Sequence, residues 1–365
     1  MMTKLQTPLS FPCGLAAPNR VVLAPLTNCQ SHSDGQLSDD ERRWLQMRAA
    51  GGFGIVTTCA AYVTQDGKAW AGQLGVHDDA MLPKLKPLAA SLRAHGALSV
   101  VQLYHGGIRA KRDVSGLAPI GPSALSDLGP RYEPSLAATP DDIARFIAAF
   151  AAAAVRVQRA GFDGVELHGA HGYLISQFLS NTLNQRTDDW GGATENRARF
   201  LQEILRAIRS RVSPGFMVGV RLSPEDFGFA AGIDLDETLQ LAQSLVEGGI
   251  DYIHLSLWDA SKNTKKYPDR HALQMFRAGL PKSLPLFAAG NIWTAADAQH
   301  ILDLGADAVV LGRAAIANPD WPSQVAASAA WEPRRPPLSP AELSDRGLNP
   351  TFINYMRNWK GFVSA

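Results

Sequence analysis

Eight short apolar segments recur along the chain, and each is followed by a stretch with helical character. Their residues are apolar without alternation, as expected for parallel strands that are buried on both faces. The segments cover residues 21–26, 54–59, 98–105, 164–169, 217–223, 252–257, 284–290 and 308–313. Eight strand–helix units predict an α/β fold that closes as a single (β/α)8 TIM barrel.

A doubly wound open sheet is the alternative fold for this pattern. The dinucleotide-binding version of that fold carries a GxGxxG motif directly after its first strand. No such motif follows residues 21–26 of this chain. The order of elements and the missing motif together favour the barrel.

Four of the predicted helices begin after a residue that can cap them. Ser38, Thr139, Thr194 and Thr294 each stand immediately before a helical segment, and Pro140 occupies the first helical position after Thr139. A hydroxyl at this place accepts hydrogen bonds from main-chain N–H groups that would otherwise lack a partner. These residues are therefore predicted N-caps.

Residues 1–330 are predicted to form the barrel together with an N-terminal extension. The segment 116–140 is rich in Gly, Pro and Ser, so we expect a long loop after the third strand, at the catalytic end of the barrel. Residues 331–365 begin with the Pro-rich sequence WEPRRPPLSP and continue with a helix-like segment. We expect this C-terminal arm to pack on the barrel or on a neighbouring subunit, which leaves a homodimer or larger homo-oligomer open.

Composition excludes several classes of protein. Of the 365 residues, 46% are hydrophobic and 19% are charged, which suits a large core and not a disordered chain. The 35 basic and 34 acidic residues leave a net charge of +1, so no overall field attracts nucleic acid. The longest apolar run, residues 147–155, is far shorter than the roughly 20 residues that span a bilayer. We therefore expect a small-molecule partner, with no nucleic acid and no membrane.

The cysteines indicate a reducing environment. Cys13, Cys29 and Cys59 are odd in number, and no two of them have the spacing CxxC. A chain of this length needs no disulfides to be stable, so a cytoplasmic location is expected.

Three side chains that are suited to catalysis follow the fourth strand. His168 and His171 are spaced i, i+3, so a helical turn would direct two imidazole N–H groups at one oxygen atom. Tyr173 adds a phenolic hydroxyl, a weak acid that can deliver a proton at neutral pH. Together they would polarise a carbonyl group and protonate the carbon beside it.

Two other interpretations of these histidines stay open. Glu166, His168 and His171 together would ligate a metal ion, as in a metal-dependent barrel hydrolase. Alternatively, one histidine only satisfies a buried hydrogen bond. No further His/Cys cluster completes a metal site, so we expect no metal.

The loops after the last two strands favour a phosphate site. Gly290-Asn291 and Gly312-Arg313 follow the seventh and eighth strands, where TIM barrels frequently bind phosphate through main-chain N–H groups. Arg313 would add a charge that pairs with two phosphate oxygens. The alternative is that these glycines serve only as tight turns.

Polar residues also stand at three other strand ends. Thr27, Gln102 and Arg221 would face the same cavity from the first, third and fifth strands. A buried arginine needs an anionic partner, and a planar ring that becomes an anion on reduction would supply one. A donor such as the Thr27 hydroxyl near that ring would adjust its redox potential.

Several stretches resemble the old yellow enzyme family of FMN-dependent ene-reductases. They are residues 19–27 (NRVVLAPLT), 102–107 (QLYHGG), 168–173 (HGAHGY), 178–192 (FLSNTLNQRTDDWGG) with 195–197 (ENR), and 312–313 (GR). The resemblance implies a TIM barrel with non-covalent FMN at its C-terminal mouth. The residues that it implies around FMN are Pro25, Leu26, Thr27 and Ala60 at the ring, Gln102, Arg221 and His168 at its polar side, and Gly290, Asn291, Gly312 and Arg313 at the phosphate.

The resemblance also implies a reaction. NADH or NADPH would pass a hydride to the flavin, and an alkene activated by a carbonyl or nitro group would then take it up in a ping-pong sequence. His168 and His171 would bind the oxygen of that group, and Tyr173 would protonate the carbon. Cys29 and Trp258 are expected to line the substrate pocket, which Trp70, Tyr104 and residues 261–266 would shape further. Amine oxidation and quinone or nitro reduction are the alternatives within the same fold.

The chain departs from some members of this family. One subfamily has Cys where Thr27 stands, so the flavin environment should be that of the Thr-bearing branch. The Cys-rich motif of longer relatives is missing, so no iron–sulfur cluster is expected. Some relatives send an arginine of the C-terminal arm into the neighbouring subunit's site, and Arg357 is the candidate here.

Overall fold

Eight parallel strands form a closed barrel at the centre of the molecule. The computed structural model describes residues 4–127, 129, 132–328 and 330–364. Each strand pairs with its neighbours in sequence, and the order runs around the barrel without a crossover, which confirms the predicted (β/α)8 fold. The strands are β1 (Val21–Leu23), β2 (Ile55–Tyr62), β3 (Leu98–Tyr104), β4 (Gly164–Gly169), β5 (Met217–Leu222), β6 (Tyr252–Ser256), β7 (Leu286–Ala289) and β8 (Ala308–Leu311).

Helices surround the barrel and explain why the strands are apolar throughout. With the exception of Leu98, every residue of these strands is buried, since one face meets the barrel interior and the other meets a helix. The helices that follow β1 to β8 are Asp39–Ala50, Leu82–Ala94, Pro140–Arg159, Thr194–Arg209, Leu235–Glu247, Ala272–Gly279, Ala295–Asp303, and the pair Arg313–Ala317 and Trp321–Ala327. Within the described part of the chain, no helix is both long enough and apolar enough to cross a membrane.

The predicted N-caps are confirmed at three of four positions. Ser38, Thr139 and Thr294 each accept a hydrogen bond from a main-chain N–H group of the first helical turn. The prediction for Thr194 is wrong, because the helix begins at that residue and the preceding alanine is the cap. The Thr194 hydroxyl instead donates to the Glu237 carboxylate, at 2.7 Å. A charged acceptor on the next helix is a stronger partner than main-chain groups.

The N-terminal extension closes one end of the barrel. Strands Leu9–Ser10 and Ala16–Ala17 pair antiparallel, and Phe11 lies in the turn between them. The Phe11 ring packs edge-on against Tyr252 and Phe287, which are stacked on each other at 4.4 Å near the beginnings of their strands. The amino-terminal end is therefore filled with aromatic rings, and only the carboxyl-terminal end is left for a ligand.

The loop after β3 is held in place by the segment after β4. Within the loop, Ile120–Gly121 and Leu136–Ala137 form a short parallel ladder. Arg186 donates hydrogen bonds to the main-chain oxygens of Pro122 and Ala138, at 2.9 and 2.6 Å. The segment that carried much of the family resemblance thus supports the edge of the barrel mouth.

The C-terminal arm packs on the barrel of its own chain. It contains the helices Pro340–Asp345 and Pro350–Met356. The buried ring of Phe352 meets the buried ring of Trp44 edge-on, with 5.7 Å between the centroids. The arm therefore shares a hydrophobic core with the helix that follows β1.

A fully buried arginine joins the C-terminal arm to the first of the two helices that follow β8. Arg48 donates to the main-chain oxygens of Ala315 and Ile316, at the end of helix Arg313–Ala317, and to that of Arg346 in the arm. Its guanidinium carbon also lies 4.3 Å from the Trp44 ring. Among the described residues no carboxylate pairs with it, so carbonyl dipoles at a helix C-terminus hold its charge.

Replacing Arg48 should destabilise the fold. Arg48→Met keeps the side-chain length but leaves buried carbonyl oxygens without a donor, at about 1–3 kcal/mol for each such group. We expect the free energy of unfolding, measured by urea denaturation, to fall by about 2–5 kcal/mol. The control Arg43→Met changes an exposed arginine of the same helix and should shift it by less than about 0.5 kcal/mol. Equal urea midpoints for the two variants would contradict this role.

Candidate active site

A cavity of about 450 Å³ opens at the carboxyl-terminal end of the barrel. All but one of the site residues expected from the sequence line it. They are Pro25, Leu26, Thr27, Ala60, Gln102, His168, His171, Tyr173, Arg221, Trp258, Gly290, Asn291, Gly312 and Arg313. This convergence follows from barrel closure, since eight parallel strands end at one rim.

Cys29 is the residue that the cavity does not include. The chain turns at Cys29 with a φ of +55°, and the buried carboxylate of Glu41 lies close enough to act on the Cys29 thiol. Burial, with a contribution from Glu41, raises the pKa of the Cys29 thiol to about 11. Cys29 is not among the residues that line the cavity, so a role in the substrate pocket stays a prediction.

The two histidines meet through a left-handed turn and not through the helical turn expected from their spacing. His171 has a φ of +61°, and the helix Leu174–Leu179 begins only after Tyr173. The ring centroids of His168 and His171 lie 5.1 Å apart, and that of Tyr173 lies 4.8 Å from His168. The three side chains therefore face one small volume.

Hydrogen bonds decide which ring nitrogen of each histidine can donate. Nδ1 of His168 accepts from the main-chain N–H of Ala170 at 3.3 Å, so Nε2 carries the proton. Nε2 of His171 lies 2.6 Å from the hydroxyl oxygen of Ser256. That oxygen also accepts from Arg221 at 2.9 Å, and in the tautomer in which the Ser256 hydroxyl donates to Nε2, Nδ1 of His171 is the donor.

Both histidines are neutral donors. Burial lowers the pKa of His168 and of His171 well below the ordinary value, and the nearby charge of Arg221 lowers it further. Each ring therefore offers one N–H group and no charge. Two such donors suit the oxygen of a neutral carbonyl or nitro group.

The Tyr173 ring is fixed by its neighbours. Tyr104 packs edge-on behind it at 4.5 Å, and Arg109 lies over its face with the guanidinium carbon 4.2 Å from the ring centroid. Tyr104 thus supports Tyr173 without lining the cavity itself. Trp70 and Trp258 do line it, and Trp258 is 70% exposed at the rim.

A buried carboxylate orients the Gln102 side chain. Glu166 accepts from Nε2 of Gln102 at 2.7 Å, and its other oxygen accepts from Nδ1 of His254 at 2.8 Å and from the Tyr252 hydroxyl at 3.2 Å. Burial opposes ionisation of Glu166, but His254 and the charge of Arg221 outweigh it and lower the Glu166 pKa. Because an ionised carboxylate only accepts, the Gln102 amide must turn its NH2 group to Glu166 and its oxygen to the cavity.

Two polar atoms at this wall lack a protein partner among the described residues. They are Oε1 of Gln102 and Nε of Arg221, both buried. Since buried polar groups are normally paired, this unpaired acceptor and this unpaired donor are candidates to bind the polar edge of a flat heterocycle. The sequence analysis identified Gln102 and Arg221 as site residues, but it did not predict that the Glu166 carboxylate orients Gln102.

The same contacts argue against the metal-site interpretation. Both oxygens of Glu166 are used by Gln102, Tyr252 and His254. Within the described ranges, no three His, Cys, Asp or Glu side chains are placed to hold a metal ion. Glu166 is thus part of the support of the cavity wall and is not placed as a ligand beside His168 and His171.

The opposite end of the cavity carries Gly290, Asn291, Gly312 and Arg313. Gly290 has a φ of +151°, and a Cβ atom there would lie 2.6 Å from the Leu257 main-chain oxygen, so only glycine fits. Arg313 donates to the side-chain oxygen of Asn291 at 3.2 Å, which fixes the guanidinium. This end therefore combines a wall free of side chains with a positioned cation.

The C-terminal arm contributes residues that the sequence analysis missed. Tyr355, Met356 and Trp359 line the cavity, and the Tyr355 hydroxyl lies beside Thr27. Burial raises the pKa of Tyr355 to about 12, so it is protonated at neutral pH. Arg357 is exposed on the arm and does not line this cavity, so its entry into a neighbouring subunit's site stays a prediction.

Comparison with protein families and curated proteins gives consistent similarities. The family model described as NADH:flavin oxidoreductase / NADH oxidase matches residues 4–331. A probable NADH-dependent flavin oxidoreductase, YqiG of Bacillus subtilis (strain 168), is 38% identical over 328 residues, covering 87% of this chain and 86% of that protein. NADH:fumarate oxidoreductase of Klebsiella pneumoniae (strain 342) is 33% identical over 339 residues, covering 89% of this chain but only 36% of that protein.

Solved structures share the fold over nearly the whole chain. An old yellow enzyme homologue from Zymomonas mobilis superposes with a TM-score of 0.82 at 28% identity, covering 94% of this chain and 99% of that one. Morphinone reductase superposes with a TM-score of 0.81 at 31% identity, covering 93% of this chain and 92% of that one.

Glu166→Gln should weaken FMN binding. In the variant, the side-chain oxygen of the introduced glutamine would accept from His254 and Tyr252, so its NH2 group would point at Gln102. The Gln102 amide would then have to flip, and it would present its NH2 group, a donor, to the ligand in place of its oxygen. We expect the FMN dissociation constant of the apoprotein, measured by fluorescence titration, to rise about tenfold or more. The control is Asp163→Asn. Asp163 lies just before the same strand, and its carboxylate accepts a hydrogen bond from Ser99, so this change should leave the FMN dissociation constant unchanged. Equal constants for Glu166→Gln and wild type would exclude the orienting role.

Binding of a neutral ketone should be insensitive to pH between about 6 and 8. An unperturbed histidine gains a charge in this window as the pH falls, whereas His168 and His171 stay neutral because their pKa values are lowered. The measurement is the dissociation constant of cyclohexanone, followed by the flavin absorbance of the oxidised holoenzyme. A steady change below pH 7 would show that one of the two histidines titrates normally.

Proposed function

The chain belongs to the NADH:flavin oxidoreductase / NADH oxidase family, the old yellow enzyme family, and is an NAD(P)H-dependent FMN oxidoreductase; we propose that it reduces the C=C bond of α,β-unsaturated carbonyl or nitro compounds. The observation that carries the proposal is the convergence of two neutral imidazole donors and one phenol in a single cavity. Each part of that arrangement has a use in this reaction.

The cavity fits FMN at both ends. Oε1 of Gln102 and Nε of Arg221 would satisfy the polar edge of the ring, and Arg313, with the glycines beside it, would hold the phosphate. Pro25, Leu26, Thr27 and Ala60 would line the ring itself. When bound, FMN supplies hydride transfer, taking a hydride from NADH or NADPH and giving it to the second substrate.

His168 and His171 would bind the oxygen of the activating group. Negative charge develops on that oxygen when a hydride adds to the carbon two bonds away from the carbonyl carbon. Two positioned N–H donors in a buried site stabilise this charge without reorganising solvent. A Ser256 hydroxyl that donates to Nε2 of His171 would leave the Nδ1–H group of that ring for this role.

Tyr173 would complete the reduction by delivering a proton. Its ring is held between Tyr104 and Arg109, beside the oxygen-binding pair. A phenol readily donates its proton to a developing enolate, and a phenol with no such acceptor keeps its proton at neutral pH. The carbon next to the carbonyl would receive this proton.

We further propose that nucleotide and alkene bind in turn, giving ping-pong kinetics. Both must reach the same ring through one mouth, which Trp70, Trp258, Tyr355 and Trp359 narrow. The relatives offer support through their names, since NADH:fumarate oxidoreductase and NADH:acrylate oxidoreductase concern compounds with a C=C bond beside a carboxyl group. This chain spans about a third of each of those proteins.

The alternatives within the fold use less of the site. Amine oxidation develops no negative charge on an oxygen atom, so the paired donors would have no function. Quinone reduction would use His168 and His171, but it would not need a proton delivered to carbon by Tyr173. The two half-reactions distinguish these cases.

Tyr173→Phe should separate the two half-reactions. Without oxygen, NADPH or NADH should bleach the flavin absorbance of wild type, and cyclohex-2-enone should restore it. In the variant we expect nucleotide-driven bleaching within about threefold of wild type and recovery with the alkene at least about a hundredfold slower, the usual contribution of a general acid. Stopped-flow absorbance measures both rates.

Tyr267→Phe is the matched control, since it removes a phenol that is bonded to Asp236 away from the cavity. It should leave both rates unchanged. Recovery at the wild-type rate in Tyr173→Phe would assign the proton to another donor. A wild-type flavin that bleaches but does not respond to activated alkenes would overturn the proposed reaction.

A further inference from the structure

One arginine of the cavity lies away from both ends that FMN would use. The cavity lining includes Arg109, Arg221 and Arg313, and no Asp, Glu or Lys among the described residues. Arg221 and Arg313 lie at the ends proposed for the ring and the phosphate. Arg109 lies at neither end, and no described carboxylate is within salt-bridge distance of it. The third arginine is thus a cation without an anionic partner.

The position of Arg109 places it beside the reacting groups. It ends the turn Gly107–Arg109 that follows β3, and its Nη1 donates to the main-chain oxygen of His171 at 2.6 Å. Its guanidinium carbon lies 4.2 Å from the ring centroid of Tyr173 and 4.2 Å from that of Phe229. Two flanking rings and one hydrogen bond hold the plane of the guanidinium in one orientation.

We propose that Arg109 binds a carboxylate of the substrate, so that the preferred substrates are α,β-unsaturated carbonyl compounds that also carry a carboxylate. This inference rests on the proposed function. One of the five N–H groups of Arg109 is used by His171, and the remaining ones can form the paired hydrogen bonds that arginine makes with carboxylates.

The histidine pair and Arg109 differ in charge, so each favours a different oxygen-containing group of the substrate. His168 and His171 are neutral, so they favour the uncharged carbonyl oxygen that becomes negative during reaction. Arg109 is permanently charged and favours an oxygen that is already negative. Since Tyr173 lies against Arg109, the carboxylate would sit close to the reacting C=C bond. A substrate with both groups would thereby bind in one orientation.

Anionic oxygens also occur in the phosphates of NADH and NADPH, which enter by the same mouth. A substrate carboxylate is favoured because Arg109 lies against Tyr173 and His171, the groups proposed to act on the alkene. The two sources affect different half-reactions. The experiment therefore measures each half-reaction separately.

The test compares (E)-4-oxopent-2-enoate with its methyl ester, which has the same skeleton without the charge. The variant is Arg109→Gln, and the control Lys111→Gln removes an equal charge from an exposed position two residues away. In Arg109→Gln, the second-order rate constant for alkene reduction should fall about tenfold to a hundredfold for the acid and less than about threefold for the ester. In Lys111→Gln, the ratio of the rate constant for the acid to that for the ester should equal the wild-type ratio.

A binding measurement gives an independent readout. The saturated acid 4-oxopentanoate cannot be reduced, and its dissociation constant follows from the flavin absorbance of the oxidised holoenzyme. We expect it to rise at least about tenfold in Arg109→Gln. Arg109→Lys keeps the charge without the paired donors, so its constant should lie between those of wild type and Arg109→Gln.

Three outcomes would overturn the inference. Equal losses for acid and ester would mean that Arg109 only supports His171 and Tyr173. A loss confined to flavin reduction by NADPH or NADH would assign Arg109 to the nucleotide phosphates. Wild-type rates with both the acid and the ester in Arg109→Gln would leave Arg109 no part in substrate choice. If wild type reduced neither compound but still bound 4-oxopentanoate through Arg109, the proposed function would fail while the carboxylate site survived.

Discussion

Every polar side chain that enters the interior of this barrel needs a partner, and that constraint determines how the site is built. Burial of an unpaired polar group costs several kcal/mol, and burial of an unpaired charge costs more. Glu166 therefore takes donors from Gln102, Tyr252 and His254. The atoms that these contacts leave over, Oε1 of Gln102 and Nε of Arg221, face the cavity. These two atoms are therefore available to pair with a ligand.

The same constraint prepares the histidines. Ser256 accepts from Arg221 and is also hydrogen-bonded to His171, so two walls of the cavity are linked through one hydroxyl group. Burial keeps the imidazole rings neutral, and the buried arginine adds to the effect. The arginine proposed to bind the cofactor and the histidine proposed to bind the substrate thus share one hydrogen-bond partner. The two functions are not separable by distance, because they share one hydroxyl group.

The sequence was sufficient for the fold and for the strand-end residues because both depend on local pattern. Buried parallel strands must be apolar throughout, and closure of eight of them brings Thr27, Gln102 and Arg313 to one rim regardless of the loops. Side-chain direction and partners are not local. The sequence did not indicate the left-handed turn at Cys29 or the three donors that surround Glu166. Ser256 carried no signal, since a serine at a strand end is ordinary.

The arm shows most clearly why distant contacts decide the rest. Nothing within residues 331–365 indicates that Tyr355 and Trp359 face the barrel mouth, because the reason lies in the helix after β1. Arg48 of that helix binds the arm and, at the same time, the end of the short helix that begins with Arg313. The arm and the phosphate end of the cavity are therefore fixed by one buried cation. A change that loosens the arm must also release this cation, so the mouth and the cofactor site are expected to gain or lose order together.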